Sequence, residues 1–244
     1  MDSLNRRVCQ AVRLGLCLLM LVTTAACGAP GRDAPDKQLI ARAAPDTGPK
    51  DGAPRAEQRP KVIVLGDSLT AGLGLPETEA FPAILQRRID AAGLRFEVVN
   101  AGVSGDTSAG GLRRLEWSLQ NGGRVLVVAL GANDGLRGLP VTEMKQNLAR
   151  VVEAAQAKRL VVILAGMEAP PNYGSEYASA FRKAYRDLAT QYNVPFVPFL
   201  LDRVAGEASL NQADGIHPNV RGAEIVADTV WTTLGPELAR LADS

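Results

Sequence analysis

The chain contains one histidine, His217, and a carboxylate stands three residues before it in the segment Asp214-Gly215-Ile216-His217-Pro218-Asn219. Imidazole is the side chain best suited to general acid–base chemistry near neutral pH. Because residues three apart can share one side of a turn, the Asp214 carboxylate can reach one ring nitrogen and leave the other free as a base. An isolated histidine is more often structural, but this spacing favours activation of a nucleophile.

The candidate nucleophile is Ser68, in the segment Gly66-Asp67-Ser68-Leu69-Thr70-Ala71-Gly72, which directly follows an apolar run. This position places the serine hydroxyl beyond the end of a buried strand and at the start of the next helical turn. Serine is also a common helix N-cap, so this residue by itself allows both interpretations.

Two further segments contain candidate hydrogen-bond donors. Gly105 lies in Ser104-Gly105-Asp106-Thr107, and Asn133 lies in Gly131-Ala132-Asn133-Asp134-Gly135. A tetrahedral oxyanion needs preorganised donors at about 2.7–3.1 Å, and the Ser68 N–H, the Gly105 N–H and the Asn133 amide could converge on one point. Such segments are more often plain turns. Their shared position after predicted strands favours the functional interpretation.

The elements that must position these residues alternate between strand and helix. Short β-branched apolar runs predict buried strands, and longer segments of helical periodicity separate them. The pattern predicts an α/β fold, a three-layer α/β/α sandwich of flavodoxin-like type around a central five-stranded parallel sheet. Ligands bind at the carboxyl edge of such sheets. Strands are predicted over 62–65, 96–100, 125–130, 160–165 and 194–199, and helices over 81–92, 108–121, 141–158, 176–192 and 221–241.

At these residues the chain resembles the SGNH/GDSL hydrolase family, close to its bacterial periplasmic thioesterase, arylesterase and lysophospholipase type. The resemblance spans 61–241. It is carried by four blocks in order, which are Gly66-Asp67-Ser68-Leu69, Ser104-Gly105-Asp106-Thr107-Ser108, the segment 131–138 (GANDGLRG) and Asp214-Gly215-Ile216-His217-Pro218-Asn219.

The resemblance implies that Ser68 is the nucleophile, His217 the base and Asp214 the orienting acid. It also implies that Ser68, Gly105 and Asn133 are the oxyanion donors. The implied reaction is hydrolysis of a small acyl ester or thioester through an acyl-enzyme, without a metal or an organic cofactor. Asp67 is expected to secure its loop, and the segment from Pro171 to Tyr177 is expected to line the acyl pocket.

Three alternative functions fit parts of the pattern. A nucleotide-binding module is disfavoured, because 66–72 lacks the G-x-G-x-x-G spacing and the chain has no Gly-Lys-Ser/Thr phosphate loop. A carbohydrate O-acetylesterase would use the same catalytic set with a polar, open acyl site, whereas an inactive anchored lipoprotein would only bind its ligand. Apolar loop residues favour fatty-acyl or aryl substrates, and these are Leu73, Leu75, Phe81, Leu136, Leu139, Tyr173 and Tyr177.

Residues 1–27 have the pattern of a secretory signal peptide, with arginines, a short apolar run over 14–22 and small residues before Cys27. The run is shorter than the roughly 20 residues that span a bilayer. Thr24-Ala25-Ala26-Cys27-Gly28 also resembles a bacterial lipobox, which predicts lipidation of Cys27 and anchoring of an exported, periplasmic protein to a membrane. Cleavage after Ala26 would instead leave a soluble periplasmic protein.

Residues 28–60 are rich in Pro, Gly, Ala and charge, which predicts a disordered linker before a hydrolase domain over 61–244. The 27 Lys and Arg residues nearly balance the 26 Asp and Glu residues, leaving a net charge of +1. This balance argues against attraction of the whole protein to nucleic acid or an anionic bilayer, so a partner must bind at a local site. The partner that the family resemblance implies is a small acyl ester or thioester, which includes membrane lipids. No cysteine follows Cys27, so the sequence predicts neither a disulfide nor a thiolate metal site in the domain.

Overall fold

The computed structural model describes residues 59–243. The predicted signal peptide over 1–27, the lipidation residue Cys27 and all but the last two residues of the predicted linker lie outside the described residues. Those two residues already contact the domain. Arg59 pairs with Asp90 at 3.0 Å, and the Pro60 carbonyl accepts the Glu97 N–H at 3.0 Å.

Five parallel strands form one sheet in the order β2-β1-β3-β4-β5, which confirms the predicted sheet. All residues of the central strand β3 are buried, as expected for a parallel strand covered on both faces. Because all strands are parallel, their carboxyl ends and the loops that follow lie at the same edge. The strands are β1 (Lys61–Gly66), β2 (Glu97–Gly102), β3 (Val125–Ala129), β4 (Val161–Ala165) and β5 (Phe196–Val197).

Eight α-helices occur within residues 59–243. They are α1 (Ser68–Ala71), α2 (Phe81–Ala91), α3 (Ser108–Arg113), α4 (Leu115–Leu119), α5 (Ala132–Leu136), α6 (Val141–Ala157), α7 (Ser175–Tyr192) and α8 (Val220–Ala242). Helix α2 packs against α8, and α6 packs against both α3 and α7. None of the helices in this part of the chain is both long and apolar enough to cross a bilayer.

The predicted helix over 108–121 is wrong, because the chain breaks it into α3 and α4. Arg114 leaves the helical conformation with φ −100° and ψ 5°. Gly110 and Gly111 lower the helix propensity of the preceding turn. Beyond the break, Leu115 and Leu119 still pack into the core. The apolar periodicity therefore continues across the break between α3 and α4, and for this reason it does not predict the break.

The last strand is shorter than the predicted 194–199. Only Phe196 and Val197 pair with β4. Pro195 and Pro198 flank this pair, and proline has no N–H to donate to a sheet ladder. At the opposite edge, β2 continues to Gly102, two residues beyond its predicted end.

Candidate active site

Ser68 is the first residue of α1, just beyond the carboxyl end of β1. Asp67 caps this helix, because its Oδ1 accepts the Leu69 N–H at 3.0 Å. A Cβ at Gly66 would lie 1.9 Å from Thr70 Oγ1, so a larger residue would collide with the helix. Glycine at this position allows the turn that carries the serine to fold tightly back onto the strand.

Asp214 and His217 lie in a tight turn of the segment between β5 and α8. Gly215 has φ 75°, so the turn is not the helix-like one that the spacing suggested. Asp214 Oδ1 accepts the N–H groups of Ile216 and His217, each at 3.0 Å, and Oδ2 lies 2.7 Å from His217 Nδ1. These hydrogen bonds lower the pKa of Asp214 to about 2, and the one from the His217 side chain has the largest effect. The carboxylate is therefore ionised at neutral pH.

Gln212 attaches this turn to the segment after α1. Its Nε2 donates to the carbonyls of Leu73 at 2.7 Å and Pro218 at 3.0 Å. Its backbone N–H donates to the His217 carbonyl at 2.8 Å. The backbone of His217 is thereby held close to the helix that begins with Ser68.

The three predicted catalytic residues form one hydrogen-bonded chain. His217 Nε2 lies 2.9 Å from Ser68 Oγ, although the two residues are 149 positions apart. With Nδ1 bound to the ionised Asp214 carboxylate, Nε2 faces the serine as an acceptor. This arrangement can remove the hydroxyl proton as oxygen attacks an electrophile.

Of the other two predicted donors, Asn133 lines the cavity at Ser68 and Gly105 does not. Asn133 belongs to α5 and lines the same cavity as Ser68, and its Nδ2 lies 3.4 Å from Asp67 Oδ2. Gly105 occupies an exposed turn after β2 with φ 83°, and its carbonyl accepts Arg137 Nη2 at 2.9 Å. Gly105 is not part of the lining described for that cavity.

A largely apolar cavity of about 500 Å³ opens beside Ser68 and His217. A space of this size and lining suits an aliphatic or aromatic acyl group. Within residues 59–243, no group of three or more His, Cys, Asp or Glu side chains is placed to hold a metal ion. The apolar wall includes Leu69, Leu136, Met167, Phe199, Leu201 and Ile216.

The predicted acyl-pocket surface is only partly correct. Leu136 lines the cavity, but Tyr173 and Tyr177 do not. Their hydroxyls donate to the carbonyls of Leu136 at 3.0 Å and Leu139 at 2.8 Å, so they contact the backbone of the segment that carries Leu136. Pro171 does line the cavity. A second, narrow crevice also reaches Ser68 and is lined by three other predicted residues, Leu73, Leu75 and Phe81.

The sequence did not indicate a role for Asp134, which joins two loops of the site. Asp134 is 2% exposed, and its carboxylate accepts the Ser108 N–H at 2.7 Å and the Ser108 hydroxyl at 2.6 Å. Asp134 directly follows Asn133, and Ser108 begins the helix that follows the Gly105 turn. The residues around Asp134 have the composition of an ordinary turn. The sequence did not reveal the role of Asp134 because its partner Ser108 lies 26 residues away.

The fold and this serine–histidine–aspartate geometry are typical of a serine hydrolase. A family model described as the GDSL-like lipase/acylhydrolase family matches residues 64–225. The chain belongs to this family, and it is a hydrolase of the acyl-ester class.

Three comparisons illustrate the relationship. Esterase TesA from Pseudomonas aeruginosa is 43% identical over 178 residues, which cover 72% of this chain and 89% of TesA. Thioesterase 1/protease 1/lysophospholipase L1 from Escherichia coli is 37% identical over 183 residues, covering 75% and 86% of the two chains. The structure of psychrotrophic esterase EstA from Pseudoalteromonas, inhibited by monoethylphosphonate, matches with a TM-score of 0.70 at 34% identity, covering 73% and 98%. The predicted family and fold class are confirmed.

Proposed function

We propose that Ser68, His217 and Asp214 are the catalytic triad of this hydrolase, and that it cleaves small acyl esters or thioesters through an acyl-enzyme intermediate. The observation that carries this proposal is the 2.9 Å separation of His217 Nε2 and Ser68 Oγ. The 2.7 Å contact between Asp214 Oδ2 and His217 Nδ1 supports it, because this contact sets the tautomer that a base requires.

The reaction has two halves. In the first, Ser68 Oγ attacks the acyl carbonyl while His217 Nε2 takes its proton and then gives it to the leaving alcohol or thiol. In the second, His217 takes a proton from water, the resulting hydroxide attacks the acyl-enzyme, and the proton returns to Ser68 as the acid departs. The ionised Asp214 stabilises the imidazolium in both halves.

The oxyanion donors in this proposal are the N–H groups of Ser68 and Gly105 and the side chain of Asn133. The amide nitrogen of Asn133 carries two hydrogens, so one can bind Asp67 while the other faces the cavity. Asp67 thereby aligns Asn133 and caps the helix of Ser68. No step requires a metal or an organic cofactor.

The substrate class follows from the cavity and from the relatives. An apolar space of about 500 Å³ suits fatty-acyl or aryl groups. The relatives are named esterase, thioesterase, lysophospholipase and arylesterase, which supports both ester and thioester bonds. Lysophospholipids of a membrane surface are included in this class.

The deciding experiment compares the wild-type enzyme, Ser68→Ala and the exposed control Ser209→Ala on p-nitrophenyl esters of increasing acyl length. We expect Ser68→Ala to lose about three or more powers of ten in kcat and to resist an activated phosphonate that labels the other two proteins. Equal activity of Ser68→Ala and wild type would reject Ser68 as the nucleophile. Activity on acetate esters alone would favour an O-acetylesterase.

We propose further that the protein is exported and anchored to a bacterial membrane through lipidated Cys27. The support is the leader pattern of residues 1–27 and the linker composition of 28–60. Metabolic labelling with a fatty-acid analogue is expected in the wild type and not in Cys27→Ala. Equal labelling of both proteins, or labelling of neither, would refute the anchor.

A further inference from the structure

Arg114 lies at the break between α3 and α4 and directs its guanidinium group to the carboxyl edge of the sheet. Nε donates to Asp106 Oδ2 at 2.6 Å, Nη1 to the Ala101 carbonyl at 2.8 Å and Nη2 to the Gly66 carbonyl at 2.7 Å. Only 16% of the Arg114 side chain is exposed. All three nitrogens of this largely buried cation therefore have acceptors in different segments.

Two of these acceptors adjoin groups that the proposed mechanism uses. Gly66 ends β1 and lies two residues before Ser68. Asp106 directly follows Gly105. Arg114 therefore joins the segment that carries the nucleophile to the segment that carries the Gly105 N–H.

The turn that presents Gly105 has two attachments to the end of β1. Within the turn, the Asp106 N–H donates to the Val103 carbonyl at 3.1 Å, and Gly105 adopts φ 83°. At its beginning, the Val103 N–H donates to the Gly66 carbonyl at 3.0 Å. At its end, Asp106 is attached to the same carbonyl through Arg114.

The surrounding chain is shaped to accommodate this contact. A Cβ at Gly110 would lie 2.4 Å from Asp106 Oδ1, so glycine makes room for the carboxylate. The backbone of Arg114 departs from helical geometry at this residue, with φ −100°. The unpredicted break between α3 and α4 therefore coincides with the residue that reaches the sheet edge.

We propose that Arg114 is a positioning residue for the oxyanion hole. By binding Gly66 and Asp106 together, it fixes the Gly105 N–H relative to Ser68. Arg114 acts through these residues and is not part of the lining of the substrate cavity. The inference rests on the proposed function, since it assumes that Ser68 and Gly105 supply oxyanion donors. A planar guanidinium suits this task because its donors point in fixed directions, unlike those of a lysine ammonium.

The test compares Arg114→Ala with Arg113→Ala, a control that removes an exposed arginine from the adjacent position. In folded Arg114→Ala we expect kcat to fall by about 10²-fold with little change in KM, because misplacing one oxyanion donor weakens binding of the transition state alone. Labelling of Ser68 by an activated phosphonate should slow similarly, because the tetrahedral adduct uses the same donors. Arg113→Ala should match the wild type in both measurements.

Two further measurements distinguish positioning from simple stabilisation. Low, non-denaturing guanidinium chloride should restore several-fold of the lost kcat in Arg114→Ala, whereas sodium chloride at equal ionic strength should not. Arg114→Lys, which keeps the charge but loses the planar fork, should have a kcat between those of the wild type and Arg114→Ala. A merely structural role would change the folded fraction and leave kcat per folded molecule unchanged.

Asp106→Ala keeps the inference testable if Arg114→Ala does not fold, because it removes the side-chain oxygen that accepts from Arg114 Nε. Wild-type kcat and labelling rate in a folded Arg114→Ala or, failing that, a folded Asp106→Ala would overturn the inference. Absence of hydrolysis and of phosphonate labelling in the wild-type enzyme would instead reject the proposed function, so the two failures are distinguishable.

Discussion

The amide nitrogen of Asn133 lies 3.4 Å from Oδ2 of Asp67, the residue that immediately precedes Ser68. Asp67 is only 1% exposed, and its burial raises the pKa of its carboxyl group to about 6. Hydrogen bonds from the Leu69 N–H and from Asn133 partly offset this rise. A buried carboxylate beside the nucleophile therefore links the pH to both the stability and the geometry of the site.

Asp67→Asn is expected to flatten the pH dependence of stability. The buried carboxyl of the folded chain keeps its proton to a higher pH than that of the unfolded chain. Its stabilising contribution is therefore complete below the ordinary aspartate pKa and is lost as the pH rises through about 6. For the wild type this loss is about 3 kcal/mol of unfolding free energy between roughly pH 4 and pH 7. Urea unfolding at a series of pH values measures it.

Asp214→Asn is the control for this experiment. Because the pKa of Asp214 is lowered to about 2, its contribution is present above the ordinary aspartate pKa and is lost as the pH falls through about 2. This substitution should leave the slope above about pH 5 unchanged. A slope in Asp67→Asn as steep as that of the wild type would contradict an ionisation of Asp67 in this range.

Asp214→Ala should lower kcat by about 10²- to 10⁴-fold with a small change in KM. Without the carboxylate, His217 Nδ1 loses its partner at 2.7 Å, and the productive tautomer is no longer fixed. Steady-state kinetics would show the loss, and the exposed Asp202→Ala in the same segment serves as the control. Because the triad acts as a unit, the double variant Asp214→Ala/His217→Ala should lose much less kcat than the product of the two single losses. A loss of kcat equal to that product would argue against a shared role.

Gly131→Ala should destabilise the protein more than Gly93→Ala does. Both glycines have positive φ, of 112° and 70°, and that conformation costs an alanine about 1 kcal/mol. A Cβ at Gly131 would also lie 2.0 Å from the Tyr185 hydroxyl oxygen, whereas nothing lies within 4 Å of one at Gly93. Overpacking should add about 1–3 kcal/mol at Gly131, measured by thermal or urea unfolding.

The double variant Gly131→Ala/Tyr185→Phe separates the collision from the backbone strain. Removing the Tyr185 hydroxyl takes away the nearest atom, so part of the added loss should be recovered relative to Gly131→Ala. The recovery must be measured against Tyr185→Phe alone, because this hydroxyl also donates to the Leu130 carbonyl at 2.9 Å. Equal losses in Gly131→Ala and Gly93→Ala would show that the close contact relaxes without cost.

Tyr173→Phe should weaken the binding of long acyl chains and spare short ones. The Tyr173 hydroxyl holds the carbonyl of Leu136, whose side chain lines the cavity. Loss of this hydrogen bond, worth about 1 kcal/mol, should raise KM for long-chain esters up to about fivefold and leave acetate esters unchanged. Tyr192→Phe, which removes a hydroxyl bound to Glu153, is the matched control. An equal change for all acyl lengths would mean that the wall does not select for length.

The sequence alone predicted those features of the site that depend on residues close together in the chain. Asp214 and His217 are three residues apart, so their hydrogen bond follows from a single turn. The placement of Ser68 beyond β1 follows from the apolar run before it, because a strand buried on both faces requires such a run. The parallel order of the sheet follows from the alternation with helices, since parallel strands need crossover connections.

The tertiary structure decided the contacts between segments that are distant in the chain. Arg114 reaches Gly66 across 48 residues, and Asn133 reaches Asp67 across 66. The break in the predicted helix over 108–121 belongs with these contacts, because it occurs at Arg114. Periodicity and turn propensity depend on the helix, strand or turn to which a residue belongs and on whether its face of that element is buried. They contain no information about which carbonyl or carboxylate the folded chain will bring to a given side chain, and that pairing is settled only when the core packs.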